Sequence, residues 1–353
     1  MKPKILITAG GTGGHIFPAL AMADRLSNLG WSVYWMGGTH GLEGRLVPKD
    51  KYPTLLLNFS GVRKKGVSRL LRLPFDLIRA ISVALVFILK MKPNVVLGFG
   101  GYPSIPGGVA AVLARVPLVI HEQNSVPGLA NKLLSKFSKT IFLGFPSVLN
   151  GGVFVGNPIR KSFNDMMSPM GRYSGRTGPI CLLVTGGSLG ARKFNELVPL
   201  AISKMPALLR PIVVHQAGGG NSTLVSNLYE QYGVEARVVE FFDDMAAEYA
   251  VCDLVISRAG ALSVSEIATA GVASILIPYP FAVDDHQRVN ASHLEKIGAC
   301  LLLDDKDLTA DHLSNLLSTL TRERLRDMAG SAQKYSSARA VDDMCARLEE
   351  MFR

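Results

Sequence analysis

Cysteine is scarce and scattered. Cys181, Cys252, Cys300 and Cys345 are the only four in 353 residues, with no Cys-x-x-Cys pair and no Cys/His cluster. That spacing argues against a disulfide framework or a zinc site and fits reduced thiols in a cytoplasmic protein. Charges also interrupt the strongly apolar stretch of the first half. The most apolar stretch, 67–91, has no uncharged run longer than 80–89, well short of the ~20 residues that span a bilayer as a helix. Met1-Lys2-Pro3-Lys4 leads straight into an apolar strand, which leaves no signal-peptide core, so the protein is expected to stay in the cytosol. Acidic residues are rare in the first half: residues 1–160 hold 19 Lys/Arg against 5 Asp/Glu (net +14), and residues 161–353 hold 19 against 23 (net −4). A basic half beside a slightly acidic one points to an anionic partner for the first: a phosphate-bearing substrate, an anionic membrane surface or nucleic acid. A basic face kept for solubility alone is the plain alternative.

What the chain does have is glycine at the ends of apolar runs. Gly10-Gly11-Thr12-Gly13-Gly14-His15 lies between Ile5-Leu6-Ile7 and a helix-like segment over 18–29. Such a strand, turn and helix start can wrap a phosphate with unobstructed backbone N–H groups, and His15 beside it is a candidate base or phosphate ligand. The motif is neither G-x-x-x-x-G-K-[ST] nor a clean G-x-G-x-x-G, so ordinary ATP or NAD binding is not what it suggests. A tight turn whose glycines serve only packing is the bland reading.

Short β-rich runs alternate with helical stretches at 4–9, 32–36, 54–59, 94–99, 118–121 and 140–143, and again at 180–185, 211–215, 236–241, 253–256, 273–277 and 300–303. Alternation of this kind predicts parallel sheets wound with helices on both faces. The second series opens as the first does, with Cys181-Leu182-Leu183-Val184 running into Gly186-Gly187-Ser188-Leu189-Gly190 and a helix from about Ala191. Two Rossmann-like α/β domains follow, 1–160 and 161–353, with the boundary in the Ser/Gly/Pro/Arg-rich region after Gly156-Asn157-Pro158; the final helix could return to the first domain. Ligands bind at the carboxyl ends of strands in open α/β sheets, and a cleft between the domains would bring the two glycine turns face to face.

Three further stretches fall at expected strand ends. Gly98-Phe99-Gly100-Gly101-Tyr102-Pro103 is a second glycine turn of the first domain, and His121-Glu122-Gln123-Asn124 ends a strand on four polar groups. Asn124 with His121 or Glu122 are candidate substrate contacts, or turn caps. In the second domain Ser257-Arg258-Ala259-Gly260-Ala261-Leu262-Ser263-Val264-Ser265-Glu266 runs from a strand into a helix whose start can hold a diphosphate, with Glu266 placed for ribose hydroxyls. Ser263 and Glu266 also have capping-box spacing, with Ser263 as N-cap. Asp284-Asp285-His286-Gln287 offers groups suited to a sugar. Asp305-Lys306-Asp307 matches the Asp-x-Asp of metal-dependent transferases, but as a charged turn away from the glycine turns it reads as surface.

In order, the motifs at 10–15, 100–102, 121–124, 156–160, 186–191, 241–245, 257–266 and 285–287 resemble those of the MurG family of bacterial peptidoglycan N-acetylglucosaminyltransferases, glycosyltransferase family 28 of the GT-B superfamily. The likeness covers nearly the whole chain and departs from the common pattern at Leu189, Ser263 and Asp285. It implies a GT-B fold and inverting transfer of N-acetylglucosamine from UDP-GlcNAc to the C4 hydroxyl of the muramyl unit of lipid I, an undecaprenyl-diphosphate-linked muramyl pentapeptide, giving lipid II. The donor residues it implies are Thr12, Gly13, Gly14, Asn124, Arg160, Ser188, Phe242, Ala261, Leu262, Ser263, Val264, Ser265, Glu266 and Gln287, and the acceptor residues Gly100, Gly101 and Tyr102. Phe242 would meet uracil through its backbone, Glu266 the ribose, Ser188 and the 261–266 helix start the diphosphate, and Asn124 and Gln287 the sugar. His15 is the first choice for catalytic base, unless it orients the diphosphate, and Glu122 the second. No cofactor or metal is called for.

The split charge then suits a lipid-linked acceptor. Arg63, Lys64, Lys65, Arg69 and Arg72 precede or open the apolar stretch 67–91, and a basic apolar helix can lie on an anionic surface. Peripheral attachment to the cytoplasmic face of the inner membrane is expected, with cell-wall assembly proteins as further candidate partners. The rivals are a UDP-GlcNAc 2-epimerase, a non-catalytic nucleotide-sugar scaffold, and a nucleic-acid binder, which the lack of interleaved aromatics disfavours.

Overall fold

The computed structural model describes residues 2–59, 67–146, 148–187 and 190–352, with backbone only at 67–71. The chain divides into two units, Met1–Arg160 with Arg339–Arg353, and Lys161–Ala338.

The first unit is built on a parallel sheet of β1 (Lys4–Thr8), β2 (Ser32–Gly38), β3 (Thr54–Leu57), β4 (Val95–Gly98), β5 (Leu118–Glu122), β6 (Thr140–Leu143) and β7 (Val153–Phe154). Its spatial order is β3-β2-β1-β4-β5-β6-β7. The second unit's sheet comprises β8 (Cys181–Thr185), β9 (Ile212–Gln216), β10 (Ala236–Val239), β11 (Leu254–Ser257), β12 (Ala273–Leu276) and β13 (Cys300–Leu302), in the order β10-β9-β8-β11-β12-β13. Each of the twelve expected strand regions holds a strand. The short edge strand β7 carries no sequence alternation that would have announced it.

Both orders reverse direction once, between β1 and β4 and between β8 and β11. Diverging crossover connections leave a crevice at each such point, outside the carboxyl ends of the strands. Register brings those ends level: Thr8 pairs with Gly98, and Thr185 with Ser257. The glycine turns therefore leave the sheets side by side.

Side-chain alternation sends Ile5 and Ile7 to one face of the first sheet and Leu6 to the other, and both faces are buried. Ala80, Ala84 and Ile88 of the helix Val67–Met91 cover the Leu6 face. On the Ile5 face the core includes Met344, Cys345 and Leu348 of the helix Ala340–Glu350, which packs on the helix Gly13–Asn28. The later segment thus completes a core that the first 160 residues leave open.

That helix should be felt in the first unit's stability. Leu348 is fully buried, so Leu348→Ala is expected to cost roughly 2–5 kcal/mol in urea unfolding; a cost under about 1 kcal/mol would remove the helix from the core.

Candidate functional site

The helix after the first glycine turn begins at Gly13, five residues before the sequence suggests, with Thr12 as N-cap and Pro18 inside it. Gly13, Gly14 and His15 are therefore its first turn. No side chain caps this N-terminus, which leaves its positive end to be met from outside. The Thr12 hydroxyl lies 3.3 Å from His15 Nδ1.

The neighbouring turn presses against this one. A Cβ on Gly101 would sit 2.2 Å from the Gly10 carbonyl oxygen, and Gly101 has φ +78°, so both space and backbone require glycine. One residue earlier, a Cβ on Gly100 would stand 3.1 Å from His15 Cδ2, which places the imidazole on the backbone of the second turn. Ser104 Oγ fixes the pair: its hydroxyl donates to the Gly100 carbonyl at 2.7 Å and lies 3.0 Å from the Thr8 carbonyl oxygen. Tyr102 is exposed.

At the end of β5 the polar run does two different jobs. His121 is buried and its Nε2 donates to the Gly156 carbonyl at 3.0 Å; burial pushes its pKa down to about 4, so the ring is neutral. Glu122 is also buried, and that burial raises its pKa against the opposing pull of its hydrogen bonds. Oε1 accepts from the Asn124 backbone at 2.9 Å and Asn124 Nδ2 at 3.4 Å, while Oε2 accepts from the Gly128 backbone at 3.0 Å and Asn131 Nδ2 at 2.9 Å. The carboxylate holds the 124–128 loop, and with it Asn124. Arg160 is half-buried, its guanidinium 5.7 Å from the centre of the Phe17 ring.

In the second unit Ser188 lies outside the described residues, as does Leu189. Around them, Gly190 has φ +71° and a Cβ there would lie 2.4 Å from the Ala217 carbonyl oxygen. Beneath the turn, Thr185 Oγ1 donates to Gln216 Oε1 at 2.7 Å and accepts from the Gly187 N–H at 3.4 Å. His215 Nε2 donates to Asn195 Oδ1 at 3.1 Å and Nδ1 accepts from Tyr229 Oη at 2.9 Å; burial pushes this ring down to about 3.

Gly260, not Ser263, is the N-cap of the helix Ala261–Ala270, and no side chain caps it. This corrects the capping-box expectation: Ser263 and Glu266 lie within the helix. Ala261, Leu262 and Ser263 form the opening of a helix with a bare positive end, Val264 and Ser265 are buried, and Glu266 is half-buried a turn further in. Phe242 follows β10, with the Arg237 guanidinium 5.5 Å from its ring centre. Gln287 Oε1 accepts from the Tyr279 backbone at 2.9 Å, and Asp284 and Asp285 just before it are both left-handed, at φ +51° and +50°.

Sequence reasoning missed several groups. Glu43 is buried against the first glycine turn, accepting from the Gly11 N–H at 3.0 Å; a lone acid among glycines in a basic half was the available signal. Asp305 is misplaced as a surface residue. Its side chain is 16% exposed and takes Arg258 Nη1 at 2.6 Å and Lys193 Nζ at 3.2 Å, which ties it to both turns at the second crevice. Those two cations occupy the carboxylate, so it serves the turn geometry.

The candidates thus fall into two sets. Thr12 to His15 and Gly100 to Tyr102 gather at the first unit's switch point, with Glu122 and Asn124 one strand further along. The 261–266 helix start and the glycine turn 186–190 share the second unit's switch point, with Gln287 after the next strand and Phe242 two strands away on the other side. Among the described residues, no group of three or more His, Cys, Asp or Glu could hold a metal ion.

Residues 5–143 match the glycosyltransferase family 28 N-terminal domain and residues 181–344 the family 28 C-terminal domain. The chain is 47% identical to a UDP-N-acetylglucosamine–N-acetylmuramyl-(pentapeptide) pyrophosphoryl-undecaprenol N-acetylglucosamine transferase of Ralstonia nicotianae, over 97% of this chain and 95% of that protein. It is 46% identical to the protein of that name in Cupriavidus necator, over 98% of each. Its structure resembles the crystal structure of Acinetobacter baumannii MurG, with a TM-score of 0.86, 34% identity and 99% of both chains covered.

The buried histidines predict a pH dependence. Both rings sit below the ordinary 6.5, so the unfolded chain binds protons that the folded chain refuses, and stability is lost as pH falls below 6.5. Glu122, shifted up, works in the opposite direction in the first unit, so His215 is the cleaner probe. Between pH 7 and 5, His215→Gln should lose about 2 kcal/mol less in urea unfolding than wild type. Equal losses would mean that His215 is not held neutral.

Proposed function

The chain belongs to glycosyltransferase family 28, and from that premise we propose that it transfers N-acetylglucosamine from UDP-GlcNAc to the C4 hydroxyl of the muramyl unit of lipid I, giving lipid II in peptidoglycan synthesis. The observation that carries this reading is 47% identity, along almost the whole of both chains, to a transferase whose name states that donor and acceptor.

The second unit takes the donor. Its bare helix start at Ala261 to Ser263, with the 186–190 turn and Ser188, receives the diphosphate; Glu266 binds ribose, Phe242 offers backbone to uracil, and Gln287 orients the sugar. As the C1–O bond breaks, the electron pair leaves with UDP, and preorganised N–H groups stabilise that charge. Inversion follows from attack of the acceptor oxygen on the opposite face of C1.

The first unit takes the acceptor. Gly100, Gly101 and Tyr102 border the muramyl position, whereas Thr12, Gly13 and Gly14 at the start of the helix Gly13–Asn28, together with Asn124 and Arg160, are donor residues, Asn124 on the sugar. His15 removes the hydroxyl proton as the new C1–O bond forms, its Nδ1 steadied by Thr12. Glu122 ranks second for this task because four donors already occupy its two oxygens.

The reading extends to peripheral attachment at the cytoplasmic face of the membrane, and the helix Val67–Met91 supports an interfacial contact. No helix among the described residues is long and apolar enough to cross a membrane. Yet Phe75, Ile78, Val86 and Leu89 share one face of this helix and stand 56–76% exposed. Exposed Arg72, Arg79 and Lys90 run along one flank of that stripe, the pattern of an interfacial helix on anionic lipid. Arg63, Lys64 and Lys65 lie outside the described residues, as does the side chain of Arg69. Leu73 packs partly on the core, so Phe75 and Ile78 are the better probes.

Two measurements test this. Transfer of labelled GlcNAc to a short-chain lipid I analogue should occur with wild type, and His15→Ala should lower kcat about a hundredfold or more with donor affinity kept; near-normal turnover moves the base to Glu122, and no wild-type product rejects the activity. Separately, Phe75→Glu with Ile78→Glu should weaken binding to anionic vesicles by at least about tenfold while UDP-GlcNAc binding holds. Undiminished vesicle binding would rule out this face as the attachment site.

A further inference from the structure

Glu43 begins the short helix Glu43–Leu46, and only 1% of it is exposed. Its Oε2 accepts the Gly11 N–H at 3.0 Å, and its Oε1 accepts the Gly38 N–H at the end of β2. The Leu42 N–H returns a bond to the Gly11 carbonyl at 3.2 Å. Glycine encloses the side chain: a Cβ would lie 2.4 Å from Oε1 at Gly10, 2.7 Å from Cγ at Gly37 and 2.0 Å from Oε2 at Gly41. No ion pair to this carboxylate forms among the described residues. Its charge is met by backbone dipoles, each a charge-assisted hydrogen bond in a dry site.

A βα turn of this kind usually offers its amides to a ligand's phosphate. Here the chain supplies its own anion to the Gly11 amide, so an incoming anion is left the helix start beyond it, Gly13 to His15. We propose that Glu43 is a positioning residue: its carboxylate clamps the Gly10–Gly11 turn to the Gly37–Gly38 end of β2 and thereby sets where the Thr12–His15 helix start and the His15 imidazole stand. It touches no reacting atom. The consequence for catalysis rests on the transferase reading above; the clamp itself does not.

Glu43→Gln keeps the size of the side chain but turns an NH2 donor toward one of two N–H donors. In the full chain this should speed amide hydrogen exchange in the 9–16 segment about tenfold and lower kcat for GlcNAc transfer about tenfold or more. Placed on His15→Ala, the same change should cost less than about twofold more, because the group it positions is already gone. A merely structural role would give additive losses on His15→Ala, and that result overturns the proposal. Should Glu43→Gln fail to fold, Gly38→Ala sets a methyl 3.1 Å from Oε1 and should move the same readouts in the same direction. If wild type makes no product, the transferase reading fails by itself; exchange still decides on Glu43, and unchanged exchange at 9–16 refutes the clamp.

Discussion

A bare Cα against a neighbouring carbonyl is the contact on which both crevices depend. Gly101 meets the Gly10 carbonyl, and Gly190 meets that of Ala217, at distances where a methyl would overlap the oxygen. In the first unit the contact lets two adjacent βα turns close on each other, and so lets one helix's first turn, with His15, rest on the next turn's backbone. Any side chain at Gly101 would part the turns before it altered a polar group. Packing between main chains thus comes first, and the chemistry of the side chains is placed by it.

Beneath the turns, both units spend buried polar groups on holding loops. Glu122 grips the loop that carries Asn124, and Thr185 with Gln216 supports Gly187. His121 and His215, one in each unit, are kept neutral by burial and serve as fixed hydrogen-bond partners. These groups are as buried as the apolar core, and the bonds they make offset the cost of that burial, although His121 Nδ1 has no hydrogen-bond partner among the described residues. The difference from His15 is exposure: that ring, at the helix start, is half-buried.

Strand positions were legible because each strand is an apolar run ended by glycine or a polar cluster, and those signals are local. Errors arose where a local signal competed with a longer-range one. The glycine turn over 10–15 put the expected helix start at Pro18, yet the helix starts at Gly13, because a helix's first N–H groups need no intrahelical partner. Ser263 and Glu266 had the right spacing for a cap, but the backbone turns at Gly260. Asp305 looked like surface until Arg258, 47 residues earlier, was found against it. Glu43 has no motif at all; what makes it matter is a turn 32 residues away. Family resemblance supplied what spacing could not, namely which sugar nucleotide and which acceptor such crevices would serve.

The return of the helix Ala340–Glu350 to the first unit makes the second unit an insertion in the topology of the first. During synthesis the first sheet emerges early, but the face of Ile5 and Ile7 lacks Met344, Cys345 and Leu348 until the whole of Lys161–Ala338 has been made. The nascent chain therefore carries an apolar face awaiting its cover for the time needed to translate some 180 residues, roughly 10–40 s. Among the described residues, the second unit's core cluster lies within its own span, so it can be complete first: the order of completion on the ribosome runs opposite to the order of the sequence.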